Sequence, residues 1–181
     1  MIGWLSDEMS PTTGRTTIAF AAILACFSIV LCGCREPKTA SSALEMADPS
    51  IAGQLLKGFY PVEEKSFRWV GRSFSVALKP PPHARADGLR LIVNLYLPEA
   101  EIRDIGPLTL SATLDGKTLG VQVFTEPGSF DFIRDLSAGD VDTNILPLQF
   151  CFDKSFQAGG DDRRKLAGII RGISLVAKQD R

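Results

Sequence analysis

Apolar and polar residues alternate with a period of two over much of this chain. Leu89, Leu91, Val93, Leu95 and Leu97 share one side of a segment whose other side carries Arg90, Asn94 and Tyr96. Strict alternation of this kind marks a strand with one buried face. Leu146, Leu148, Phe150 and Phe152 repeat the pattern, with Gln149 and Cys151 opposite. Leu108, Leu110, Ala112 and Leu114 run into Asp115-Gly116, and Leu119, Val121 and Val123 follow as the apolar side of the next segment. Asp-Gly between two alternating runs predicts a two-residue hairpin, because both turn residues must take positive φ. Phe67 and Trp69 alternate with Arg68, and after Gly71 the phase changes so that Phe74, Val76 and Leu78 continue the apolar face. Gly71 therefore predicts a bulge or a turn.

Pro80-Pro81-Pro82 ends that ladder, since proline has no backbone donor. Glu126-Pro127-Gly128 is a turn before Phe130 and Phe132, and Gly159-Gly160-Asp161-Asp162 is a loop. Ile169–Val176 closes the domain as a strand with an irregularity at Gly172. Several short strands, turn signals between them and no long amphipathic helix predict an all-β fold, an antiparallel β-sandwich of jelly-roll type. No internal repeat is present. Residues 35–50 are small, polar and bounded by proline, the composition of a tether, with a weak helical pattern across residues 43–56. The predicted organisation is an N-terminal leader over 1–33, a tether over 34–57 and the sandwich over 58–178.

Charge narrows the functional classes. The 181 residues hold 20 Lys and Arg against 21 Asp and Glu, a net charge of -1. A nucleic-acid partner would call for a basic excess, and none exists.

The N-terminus carries the most specific signal. No charged residue occurs from Thr16 to Cys34, and residues 18–31 are nearly all apolar. Arg15 precedes the run, and Arg35, Glu36 and Lys38 follow it. A positive flank, an apolar run of this length and small residues at its end compose a secretory signal. Asp7 and Glu8 break the positive flank, and a start at Met9 would restore it. The run ends in Leu31-Cys32-Gly33-Cys34, which resembles the lipobox of bacterial lipoproteins. The resemblance implies cleavage before Cys34, a diacylglycerol thioether on its sulfur and acylation of its new amine. Cys32 departs from the commoner Ala, Ser or Thr, and Cys26 fits less well because Leu24 is bulky and the apolar run continues beyond it. An uncleaved transmembrane helix is the competing reading, since the uncharged stretch is just long enough to span ~30 Å. In the lipid-anchored form Cys151 has no disulfide partner and is expected as a buried apolar thiol. Arg35 stands where an inner-membrane retention Asp is found in well-studied lipoproteins. In a host with two membranes the resemblance therefore implies the outer one, and otherwise the cell membrane, with the domain facing the periplasm or the exterior.

A second resemblance rests on three pieces. They are Gly58-Phe59-Tyr60-Pro61-Val62-Glu63 with Phe67-Arg68-Trp69, the Asp115-Gly116-Lys117 hairpin, and Asp162-x-Arg164-x-Leu166-Ala167 before Ile170 and Ile173. Together they are similar to small jelly-roll-like domains found beside bacterial glycosyltransferases and methyltransferases of surface-polysaccharide pathways. Ala167 stands where those domains usually have Gly. The resemblance implies a non-catalytic, carbohydrate-associated role.

The candidate ligand-binding residues are Trp69, Arg90, Asn94 and Tyr96, with Gln122 expected nearby. Trp69 is either a core anchor or a sugar-stacking platform. Arg90, Asn94 and Tyr96 form either a binding surface or an ordinary solvated face. Asp162 and Arg164 predict a structural ion pair at the entrance to the last strand. Catalysis finds little footing. The single histidine, His83, lies in a proline-rich loop, no Gly-x-Ser-x-Gly elbow occurs, and Gly159-Gly160 lacks the residues of a phosphate loop. Glu99, Glu101, Asp161 and Asp162 are the carboxylates available to a glycan-cleaving enzyme. No metal or cofactor is implied. The expected partners are a membrane, reached through the lipid, and either surface polysaccharide or an envelope protein.

Overall fold

Five residues of one strand show how the alternation becomes a core. In the computed structural model, Leu89, Leu91, Val93, Leu95 and Leu97 of β4 (Leu89–Leu97) all point inward and are buried. The structure describes residues 40–178, so the leader 1–33, the Met9 start, Cys26, Cys32 and Cys34 lie outside the described residues.

The other strands are β1 (Ala43–Glu45), β2 (Leu55–Glu63), β3 (Phe67–Leu78), β5 (Leu108–Leu114), β6 (Lys117–Phe124), β7 (Gly128–Leu136), β8 (Leu146–Phe152), β9 (Phe156–Gln157), β10 (Lys165–Leu166) and β11 (Gly168–Ala177). Two short helices, α1 (Ala84–Asp87) and α2 (Glu99–Ile105), flank β4 in sequence. The main sheet runs β6-β5-β8-β3-β11-β4-β7, with β2 beside β3 and β1 beside β11. Every pairing in it is antiparallel.

β3 belongs to both layers of the sandwich. Its second half, Ser73–Leu78, pairs with β8, and its first, Arg68–Val70, pairs with β11. Gly71 and Arg72 stand at the changeover. One layer is thus β3-β8-β5-β6 and the other β11-β4-β7, the strand order of a jelly roll. Leucines and phenylalanines from both inner faces merge into one core cluster. The fold is all-β, an antiparallel jelly-roll-like sandwich.

The far ends of the sheet, β6 and β7, meet through side chains instead of a ladder. Arg134 of β7 donates from Nη2 to the Val121 carbonyl at 2.6 Å, and its guanidinium lies 4.0 Å from the centre of the Phe132 ring. Gly120 makes room for this arginine, because a Cβ there would stand 2.1 Å from Arg134 Nε.

Several sequence expectations are corrected by the pairing. The phase of β3 does not change at Gly71. Val70, Phe74, Val76 and Leu78 are buried together on one parity, while Phe67 and Trp69 are half-buried on the other side. In β6 the alternation is displaced by a bulge, since Ala112 pairs with Gly120 while Thr113 pairs with Thr118. Leu119 occupies the extra position. Val121 and Val123 then face outward, 53% and 59% exposed. The Asp115-Gly116 hairpin forms as expected, with φ of 46° and 81° at its two turn residues. The irregularity in β11 falls between Ile170 and Gly172.

The folded body also starts earlier than Gly58. Ala43–Glu45 pairs with Gly172–Ser174, and Leu44 and Met46 are fully buried. The predicted helix over 43–56 is a strand followed by a 3-10 turn, Pro49–Gln54. Asp48 accepts from the Ser50 amide at 2.7 Å and caps that turn, with proline just inside it. The tether reading fails here because Leu44 and Met46 complete the core.

The β5–β6 hairpin is pinned to the β7–β8 connection by Asp140, which accepts from Lys117 Nζ and from the Ser137 amide and hydroxyl. These donors, Lys117 foremost, hold the carboxyl down from 3.8 to about 2. A carboxyl harder to protonate when folded contributes its full stability above about pH 4 and loses it as pH falls toward 2. Asp140→Asn is expected to lower stability at pH 7 by about 1–2 kcal/mol, allowing for screening of the exposed lysine. Urea unfolding should show variant and wild type converging near pH 2. A gap of equal size at both pH values would refute the assignment.

Candidate functional site

The predicted binding face is the outer side of β4, and its polar groups are spent on one another. Arg90 lies opposite Asp135, Asn94 opposite Asp131 and Tyr96 opposite Ser129. Arg90 Nε donates to Asp135 Oδ1 at 2.8 Å, and Lys178 Nζ approaches the other oxygen at 3.3 Å. The hydrogen bond from Arg90 holds the Asp135 carboxyl below its usual range. Asn94 Nδ2 donates to Asp131 Oδ1 at 2.7 Å. The Tyr96 ring carries the Arg171 guanidinium at 5.3 Å, and Arg171 donates to Ser129 Oγ at 3.3 Å. Cross-strand pairs of this kind stabilise a sheet face.

Trp69 reaches the same face through β11. Ile169 is paired with Trp69 on one side and with Tyr96 on the other, so the three form a row. Two strand spacings separate the aromatic residues, about 10 Å. Ile169 is buried yet lies outside the main core cluster. The Trp69 ring meets Phe156 of β9 edge-to-face, centroids 5.9 Å apart, which makes the indole an anchor for that short strand. Gln122 is not near this face. It lies on β6 opposite Leu110, in the other layer.

Arg164 joins the two outer pieces of the sequence motif. Its Nη2 lies 2.7 Å from Asp162 Oδ2 and its Nη1 2.6 Å from Glu63 Oε1. The guanidinium sits 5.3 Å from the Tyr60 ring, and the Tyr60 hydroxyl donates to the Lys165 carbonyl at 3.0 Å. Hydrogen bonds from Arg164 lower the Asp162 carboxyl, and the two carboxylates raise the arginine. The knot fastens the end of β2 to the approach to β11.

A recess that the sequence reading missed lies on the outer face of the other layer. Its volume is about 370 Å³. Pairing builds it from two rows, Ser73-Cys151-Ser111 and Lys57-Ser75-Gln149-Thr113. Ser73 Oγ contacts Cys151 Sγ at 3.6 Å, and Ser111 Oγ donates to the Cys151 carbonyl at 3.1 Å. The side chains of Lys57, Ser75, Gln149 and Thr113 make no hydrogen bond or ion pair among the described residues. Cys151 is therefore not the buried thiol expected. Phe150 and Phe152 turn inward, so the residue between them faces out and is half-exposed. The available signal was the outward parity of three strands, small and polar on each, which only their pairing brings together.

His83 takes φ of 66° and lines a smaller cavity of about 200 Å³ with Lys79, Arg85 and Asn144. Neither cavity has an Asp or Glu in its walls. Glu99 and Glu101 lie on α2, and Glu101 Oε2 is buried without a hydrogen-bond partner.

The strand order defines a protein of the jelly-roll sandwich class. No family model matches the chain, and no curated protein matches it. Among solved structures it is similar to an acetyl xylan esterase from the rumen bacterium Butyrivibrio proteoclasticus, with a TM-score of 0.45 and 13% identity. The match covers 78% of this chain and 35% of the esterase, so this chain spans about a third of that enzyme's length.

Proposed function

We propose that this chain is a lipid-anchored protein of a bacterial envelope whose β-sandwich binds carbohydrate without cleaving it. The observation that carries the reading is the recess: hydroxyl and amide groups left unspent, with no acid in its walls. Glycoside cleavage uses a pair of carboxyl groups flanking the bond, and Asp162 is engaged with Arg164. The anchor rests on Leu31-Cys32-Gly33-Cys34. Because β1 begins at Ala43, only residues 35–42 separate Cys34 from the sheet, a reach of at most about 30 Å.

Intact-mass analysis of membrane-extracted protein tests the anchor. The expected chain begins at Cys34 and carries two or three acyl groups, since one chain binds a bilayer only marginally. Cys34→Ser is expected to abolish acylation and leave the leader attached. An unacylated wild-type chain that still carries residues 1–33 would overturn the anchor.

A protein-interaction role is the second reading. The outward valines of β6, Val121 and Val123, favour it, because β6 lies at one end of the sheet path. Loss of an envelope cross-link in a Val121→Lys, Val123→Lys variant that still retains glycan would support it.

A further inference from the structure

The two outer faces of the sandwich use their polar groups in opposite ways, and that difference points to where a ligand sits. On β4 the charged and amide side chains are consumed in cross-strand pairs. On β2-β3-β8-β5 a row of four, Lys57-Ser75-Gln149-Thr113, is aligned by the same kind of pairing and left unsatisfied. We propose that this recess binds a short uncharged saccharide segment, an inference that rests on the reading of the domain as a carbohydrate-binding module.

The chemistry of the row selects the ligand class. Ser75 and Thr113 offer hydroxyls and Gln149 an amide, and each of these groups both donates and accepts. A sugar hydroxyl does the same, so adjacent hydroxyls on one ring can be met along the row without an unpaired donor. Lys57 stands at one end, exposed, as the single charge in the walls. A polyanion would need several cations, and no carboxylate is present to hold a cationic ligand.

Position leaves an added peptide strand no place over β3, β8 and β5, and only the outer edge of β2, beside Lys57, is unpaired among the described residues. β3, β8 and β5 are paired on both sides where they line the recess, so no backbone edge is free there. The ligand is held by side chains alone. The strands that carry them are well supported, because Phe74 and Phe150 stack at 4.8 Å on the inner side of β3 and β8. The paired strands fix where each side chain starts, and the short Ser75 and Thr113 side chains lose little freedom on binding. The volume lies at the small end of the range of about 300–1,000 Å³ usual for small-ligand sites, which suits one or two sugar rings. No aromatic ring faces outward in the lining, so hydrogen bonds supply the affinity.

The test uses the full chain, extracted in mild detergent, on an array printed with neutral and acidic bacterial polysaccharides. Wild type is expected to retain a neutral glycan. Ser75→Ala with Gln149→Ala is expected to weaken retention about tenfold through two lost hydrogen bonds. A measurement free of mutation accompanies it: alkylation of Cys151 by iodoacetamide, read on its own peptide, is expected to slow severalfold with the retained glycan. An unchanged alkylation rate overturns the inference. So does retention that survives the double variant but is lost in Arg90→Ala or Trp69→Ala, which leaves carbohydrate binding standing at another face. Retention confined to acidic glycans overturns the uncharged class. No retention at all by a chain with a folded circular-dichroism spectrum sinks the carbohydrate reading itself.

Discussion

Gly58→Ala is expected to cost about 4 kcal/mol or more, a fall in melting temperature on the order of 10–15 °C for a domain of this size. Gly58 sits in an irregular stretch of β2 with φ of 80°. A Cβ there would lie 2.0 Å from the Ser73 carbonyl oxygen and 2.8 Å from Phe74 Cα. Both atoms are backbone, so no side chain can swing aside. Left-handed backbone alone costs an alanine about 1–2 kcal/mol, and the overlap forces β2 away from β3. Gly53→Ala is the matched control, since nothing lies within 4 Å of its would-be Cβ. Thermal melts followed by circular dichroism decide the matter. Equal melting temperatures for the two variants would mean that β2 does not press on β3 as described.

Phe74→Ala is expected to cost about 3–5 kcal/mol, the usual range for removing a fully buried aromatic ring. The ring stacks on Phe150 at 4.8 Å, meets Phe59 edge-to-face at 5.4 Å and lies 6.2 Å from Phe152. It stands just past the point where β3 passes from one layer to the other. Its loss therefore opens a cavity beneath the recess as well as in the core. Urea unfolding should show a lower midpoint with an unchanged slope if the variant remains two-state. Phe74→Leu keeps most of the volume and is expected to recover part of the loss. A cost below about 1 kcal/mol for the alanine variant would show that the core collapses around the gap.

Gly58 and Phe74 illustrate what a single sequence conceals. Gly58 belongs to a recognisable motif, yet its necessity comes from the Ser73 carbonyl, fifteen residues away. The same holds for Arg164, which reads as the partner of Asp162 two positions back. In the fold it also reaches Glu63 and Tyr60, so the two ends of the motif become one knot. The candidate site was legible only in part. Arg90, Asn94 and Tyr96 do share a face, as alternation predicts, and Trp69 joins them through Ile169. Alternation could not report that Asp131 and Asp135 already occupy two of them.

The sequence by itself determined the strands of β4, β5 and β8, the Asp115-Gly116 turn, the bulge near Gly172 and the sandwich class. These follow from period-two burial and from φ preferences, which act over neighbouring residues. Only the tertiary structure decided that β3 serves both layers, that Leu44 and Met46 belong to the core, that the valines of β6 face outward, and that serines, a threonine and a glutamine from separate strands line one recess. Each of these depends on which strand lies beside which and in what register. A one-residue bulge reverses the facing of everything after it, and the choice of neighbour is made by packing between segments far apart in the chain.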